Sequence, residues 1–102
     1  MQVEFSKISV IKLELIHEYL LDEWGIKSAN AFISILESKI ESIKKNPFRY
    51  PPSTYDKSLR KCDITKHSYF LYEIEHQTIY VINLIDSRQN PLVIREQIEK
   101  RI

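Results

Sequence analysis

The run Thr78 to Ile85 (TIYVINLI) is apolar on both of its alternating faces, and this restricts the folds open to the chain. Side chains of a strand alternate with period two, which puts Ile79, Val81 and Ile85 on one face and Tyr80, Ile82 and Leu84 on the other. Such a strand belongs in the middle of a sheet with something covering each side. Two further runs with strand character precede it, Arg60 to Ile64 and Tyr69 to Ile74. The second joins the third through the polar turn Glu75-His76-Gln77, which predicts a hairpin.

The N-terminal half has a different rhythm. Val3 to Phe5 reads as a short first strand. From Lys7 to Trp24, Leu13, Ile16, Leu20 and Trp24 recur at three or four residues and form one helical stripe. Gly25, the only glycine, stops that helix. A second helix is predicted from about Ser28, read as its N-cap, to Lys45, with Ala29, Phe32, Ile33, Leu36, Ile40 and Ile43 on its apolar face. Asn46-Pro47 ends it. Two helices of roughly 25 Å joined by a short turn pack as an antiparallel hairpin, and their stripes need a sheet to cover.

The linker Pro47 to Ser58, with Pro51-Pro52 and three aromatics, reads as an extended loop. Leu92 to Ile102 is expected to form a short C-terminal helix through Val93, Ile94, Ile98 and Ile102. The expected fold is α+β: an N-terminal helical hairpin on one face of a small, mainly antiparallel sheet, in one domain over residues 1–102.

Composition removes several function classes. With one glycine there is no Gly-rich loop for a nucleotide phosphate. The single cysteine, Cys62, lacks the neighbours of a zinc site, and it reads as a small apolar residue in a strand. No cofactor and no metal are expected. No apolar run reaches the roughly 18 residues of a membrane span and the N-terminus does not read as a signal peptide, so a soluble, cytoplasmic protein is expected.

The formal net charge of +1 hides an asymmetry. Between Lys44 and His67, seven cations (Lys44, Lys45, Arg49, Lys57, Arg60, Lys61 and Lys66) stand against Asp56 and Asp63. Glu14, Glu18, Asp22, Glu23, Glu37 and Glu41 lie in the helical part. Two readings fit: a basic face for an anionic partner, or a solvated basic loop.

Three pieces of the chain, in order, resemble the RelE/ParE superfamily of toxins from bacterial type II toxin–antitoxin modules. Leu15-Ile16-His17-Glu18-Tyr19-Leu20, followed by Ala29, Phe32, Ile43 and Asn46-Pro47, is similar to the helical hairpin of ParE-like members. Arg60 with Tyr69-Phe70-Leu71-Tyr72 resembles the family's arginine strand and the tyrosine strand after it. Ile82 to Pro91 resembles the closing strand, whose usual ending is hydrophobic–His–x–Arg–x–x–Pro. Here Asp86 stands where many members have histidine. An ionised aspartate repels phosphate, which counts against ordinary ribonuclease chemistry at this strand end.

The resemblance implies a toxin that inhibits growth, of the kind associated with plasmid stabilisation, neutralised by a cognate antitoxin. Its target would be messenger RNA on the ribosome, cut without a metal, or DNA gyrase, which a ParE-like toxin poisons by binding. A weakened relative that only binds antitoxin is the alternative. For RNA cleavage, Arg60 and Arg88 are the candidate phosphate clamps, because the guanidinium fork suits phosphate oxygens. Lys57 and Lys61 add charge and complete the catalytic candidates, while Lys66 joins them as a target contact. His67 has the right ordinary pKa for proton transfer but falls outside the family's catalytic position; it, His17 and His76 read equally as surface polar residues. Tyr69, Tyr72 and Tyr80 read as sheet packing.

The antitoxin would supply a segment that folds on binding. Ile8, Ile11 and Leu15, which lie off the main stripe of the first helix, are its candidate seat. Operator DNA would be bound only through the antitoxin, and the chain would assemble as a homodimer or as a toxin–antitoxin hetero-oligomer.

Overall fold

The computed structural model describes residues 1–100. Its elements are β1 (Gln2–Phe5), α1 (Lys7–Trp24), α2 (Ile26–Lys45), β2 (Arg60–Asp63), β3 (Ser68–Glu75), β4 (Thr78–Asp86) and α3 (Pro91–Lys100). The sheet order is β1-β4-β3-β2, with β1 parallel to β4 and the other two pairings antiparallel. β4 is therefore an inner strand, as its two apolar faces require. The hairpin turn is the dipeptide His76-Gln77, whose φ angles of 49° and 65° suit the twist of a two-residue β-turn.

The sheet separates two cores. On one face Phe32, Leu36 and Ile43 of α2 meet Cys62, Phe70, Tyr72, Ile79, Val81 and Leu84, with Leu13, Ile16 and Leu20 of α1 packed at the margin. On the other, Ile94 and Ile98 of α3 close over Leu59, Tyr69, Leu71 and Ile85. The α+β architecture is as expected, and α3 supplies the second cover.

Strict alternation fails along β4. Tyr72 pairs with Val81 but Leu71 pairs with Asn83, so Ile82 is an extra residue in the ladder. Such a bulge shifts the side-chain period by one. Leu84 therefore joins Ile79 and Val81 under the hairpin, and Ile85 turns to the α3 side. This reverses the faces expected for Leu84 and Ile85.

Beside the bulge, the turn from β1 into α1 takes up the carbonyls that β1 no longer reaches. The Ser6 amide donates to Val81 O at 2.9 Å, and the Ser6 hydroxyl donates to Ile82 O at 2.6 Å. Ser9, fully buried, donates its hydroxyl to Ser6 O at 2.8 Å and reaches Val81 O at 3.2 Å. Ser6 is also the N-cap of α1, its Oγ accepting the Ser9 amide at 3.1 Å. Bulge, cap and helix start form one hydrogen-bonded unit.

Other boundaries moved slightly. α2 begins at Ile26, not at Ser28, because Gly25 at φ 91° ends α1 and opens α2 in a single residue. Trp24, placed in the α1 stripe by spacing, is 70% exposed at the hairpin tip, beyond the sheet that the stripe covers. Val93 is exposed, whereas Ile94 and Ile98 point inward. Ile102 lies outside the described residues. No helix among the described residues is long and apolar enough to cross a membrane.

Ser6→Ala removes a helix cap and leaves Ile82 O without its donor. It should lower the unfolding free energy by about 2 kcal/mol in urea titration. A loss below about 0.5 kcal/mol would mean that the bulge does not need this clamp.

Candidate functional site

Arg60 opens β2, and the linker before it doubles back beside that strand. Lys61 N donates to Pro51 O at 2.9 Å and Ser53 N to Leu59 O at 2.7 Å, so the prolines lie along the outer edge of β2. The Arg60 guanidinium fastens this loop, donating to Tyr50 O at 2.6 Å and to Phe48 O at 3.3 Å. It also covers the Phe48 ring, at 5.1 Å from the centroid. The Tyr72 hydroxyl completes the fastening on Pro47 O at 2.7 Å.

Lys61, next along β2, faces the other side of the sheet. Its ammonium lies 4.6 Å from the centre of the Tyr69 ring and 3.8 Å from an Asp63 oxygen. Lys57 and Lys66 are exposed on the turns flanking β2.

Arg88 lies elsewhere. It follows β4, and Asp86 holds it in a fork: Nε donates to Oδ1 at 3.0 Å and Nη2 to Oδ2 at 2.9 Å. The Arg88 amide donates to the same Oδ1 at 2.9 Å. These bonds, the side-chain ones first, hold the Asp86 carboxyl below the usual carboxylate range, and His67 adds to the effect. The register fixes the separation of Arg60 from Asp86, which precedes Arg88 by two residues. Arg60 pairs with Tyr72, and Ser68, four residues earlier on β3, pairs with Asp86. That is about 13 Å along the strands and two strand spacings, about 10 Å, across them. Arg60 is held on the loop before β2 and Arg88 on Asp86, so each guanidinium has its own partners.

The groups able to move protons inside the sheet hold theirs tightly. Burial pushes the Cys62 thiol up to about 11 and the Tyr69 and Tyr72 hydroxyls up to about 12. Among the described residues no cluster of His, Cys, Asp and Glu could hold a metal ion.

On α1, Ile11 is 42% exposed, Leu15 58% and Tyr19 59%, and with half-buried Ile8 they form one stripe at helical spacing. Lys12 interrupts it. Its Nζ donates to Leu84 O at 3.1 Å and to Gln97 Oε1 at 3.4 Å, bridging α1, β4 and α3, and burial lowers its pKa. Tyr19 is close enough to Arg88 to act on it electrostatically, so the stripe ends beside the Asp86–Arg88 pair. The only sign of Lys12 in the sequence is a cation at helical spacing between Ile8 and Leu15.

A second apolar surface was not legible at all. Phe5, Leu13, Ile33, Leu36 and Ile40 line a groove of about 270 Å³ with Glu37 and Glu41 at its rim. It exists only where β1, α1 and α2 meet, and no local pattern announces it.

The Asp86–Arg88 pair has a pH signature. The folded pKa of Asp86 lies below its unfolded value, so the pair stabilises the fold above about pH 4. That contribution disappears as pH falls through the lowered folded value. Because the pair is exposed its effect on stability is small, and the carboxyl titration is the sharper readout. In Arg88→Ala, the Asp86 carboxyl followed by NMR should titrate at higher pH than in the parent protein. An unmoved midpoint would show that Arg88 does not hold it.

Comparison with known proteins agrees with this architecture. Residues 3–91 match the family described as ParE toxin of type II toxin-antitoxin system, parDE. Among solved structures, the chain is similar to one described as a chromosomal ParDE TA system from P. aeruginosa. The TM-score is 0.71 at 11% identity, over 84% of this chain and 95% of that one. It is also similar to a YoeB/ParE toxin from Agrobacterium tumefaciens, with a TM-score of 0.63 at 16% identity, over 84% of this chain and 98% of that one. Among curated protein sequences none matches. At these identities the structures speak for the fold alone; the family match spans most of the chain, and the protein belongs to the ParE toxin family of type II toxin–antitoxin systems.

Proposed function

We propose that this ParE-family protein is a cytoplasmic toxin that arrests growth by binding DNA gyrase, and that a cognate antitoxin holds it inactive. The observation that carries the choice of target is the state of the strand-end arginine. Arg88 is engaged by Asp86, and Arg60 is held on the carbonyls of Phe48 and Tyr50. Metal-independent RNA cleavage needs a proton acceptor, a proton donor and cations gathered on one phosphate. Neither Cys62 nor the inner tyrosines serve near neutral pH, which leaves His67, beside Asp86, as the candidate for proton transfer. A binding toxin has no such requirement.

Ribosome-dependent cleavage of messenger RNA is the second reading. The exposed cations Lys57 and Lys66, with Lys61, Arg60 and Arg88, favour it as contacts to an anionic target. A relative that binds antitoxin but has lost toxicity is the third.

Three measurements separate them. Expression without antitoxin should stop growth, and purified protein should inhibit gyrase supercoiling while messenger RNA in a translation extract stays intact. New RNA ends that appear only with ribosomes, and vanish in Arg60→Ala and Arg88→Ala, would replace gyrase by the ribosome. Unimpeded growth would leave only antitoxin binding.

The antitoxin seat belongs on the exposed stripe Ile8, Ile11, Leu15 of α1, where an amphipathic segment would bury apolar surface that the fold leaves in water. Operator DNA is reached through the antitoxin, within a hetero-oligomer. Ile11→Asn with Leu15→Gln should weaken antitoxin binding at least tenfold in calorimetry, since each buried side chain is worth about 1.5–3 kcal/mol. Circular dichroism should remain unchanged. Parental affinity in the double variant would place the antitoxin elsewhere.

A further inference from the structure

At the C-terminal end of α2 the surface joins an exposed aromatic ring to a group of cations, and neither gyrase nor antitoxin binding as read above makes use of it. Phe48 is 65% exposed although it is a large apolar side chain next to the core. The Arg60 guanidinium lies over it, 5.1 Å from the centroid, and donates to the Phe48 carbonyl. The ring is thus held in place while much of it faces water. Nothing in the packing of the core requires it there.

The surroundings are basic and polar. Arg49 donates from Nη1 to Ser42 Oγ at 2.7 Å, and Tyr50 OH shares that hydroxyl at 3.3 Å. Lys39 lies 5.9 Å from the centre of the Tyr50 ring. Lys44 and Lys45 complete the last turn of α2. Lys44 pairs with Glu41 at 3.3 Å. Glu41 and Glu37 line the groove against Phe5 and Leu13, on another side of α2 from the residues that meet Tyr50.

A fixed aromatic ring backed by a guanidinium and bordered by cations has the chemistry of a stacking platform for an unpaired base, with its phosphates on the lysines and arginine. We propose that Phe48, backed by Arg60, seats a base of a single-stranded nucleic-acid segment whose backbone runs along Arg49 and Lys45. The seat does not depend on the choice between gyrase and ribosome, since it is argued from the ring and the cations around it. It assigns Phe48 a role that neither family resemblance nor charge counting gives it.

Fluorescence anisotropy of the full chain with labelled oligonucleotides of about 12 nucleotides tests this. Single-stranded RNA or DNA should bind more tightly than a duplex of equal length, because a duplex keeps its bases stacked inside. Phe48→Ala should weaken single-strand binding about tenfold, and Phe48→Trp should retain it. Arg49→Ala and Lys45→Ala should each flatten the dependence on salt by about one released counterion. Phe48 is exposed, so circular dichroism of its variants should match the parent. The preference between RNA and DNA names the source of the strand. Undetectable binding by the parent, equal binding of duplex and single strand, or an unchanged Phe48→Ala would each overturn the proposal.

Discussion

The inserted residue Ile82 and the two serines that answer it set the geometry of the whole domain. Without the insertion, β4 would keep one period from Thr78 to Asp86. Leu84 would then leave the core under the hairpin, and Ile85 would leave the one under α3. With it, each face of the same strand receives the residues its cover needs. The bulge also turns two carbonyls toward the start of α1, where Ser6 and Ser9 accommodate them. Lys12 continues the contact one turn later on Leu84 O. The helical hairpin is thus tied to the sheet along a line of polar contacts, while apolar packing supplies the bulk of its attraction. A buried carbonyl left without a donor costs more than an ordinary hydrogen bond gains, which makes these serines hard to replace.

The candidate site shows the same economy in its cations. Arg60, on sequence grounds a clamp for phosphate, closes the proline loop over the edge of β2. Arg88 is matched by Asp86. Both charges have local duties. Lys57 and Lys66 keep exposed positions, and Phe48 takes an exposed place over which Arg60 is drawn by its own loop contacts.

Most of the fold was legible because its signals are local. Helical spacing places α2 and its buried face almost completely, and β-branched and aromatic runs place β3 and β4 to within a residue or two. The apolar faces of Thr78 to Ile85 correctly demand a cover on both sides. What escaped are the features that have no local period. A bulge looks like ordinary alternation until a partner strand gives the register. Trp24 obeys the stripe of α1 but lies past the end of the surface the stripe covers. Ser28 has the composition of a cap, yet Gly25 makes so tight a turn that the helix has already begun. The distance between Arg60 and Arg88 depends on which strands are neighbours, and spacing along the chain carries no trace of it.

The pairing of β1 with β4 also governs when the molecule comes into being. Ser6 and Ile82, joined by a hydrogen bond, stand 76 positions apart. Such a contact forms late, since the intervening chain must be ordered before the loop it closes is rewarded. During synthesis the first strand therefore emerges with no partner and waits until β4 has left the ribosome. The hairpin α1–α2 has only its own weak propensity to hold it in that interval. The four-stranded sheet, and with it the seat on which the helical hairpin packs, is therefore complete only once β4 is available to both of its neighbours.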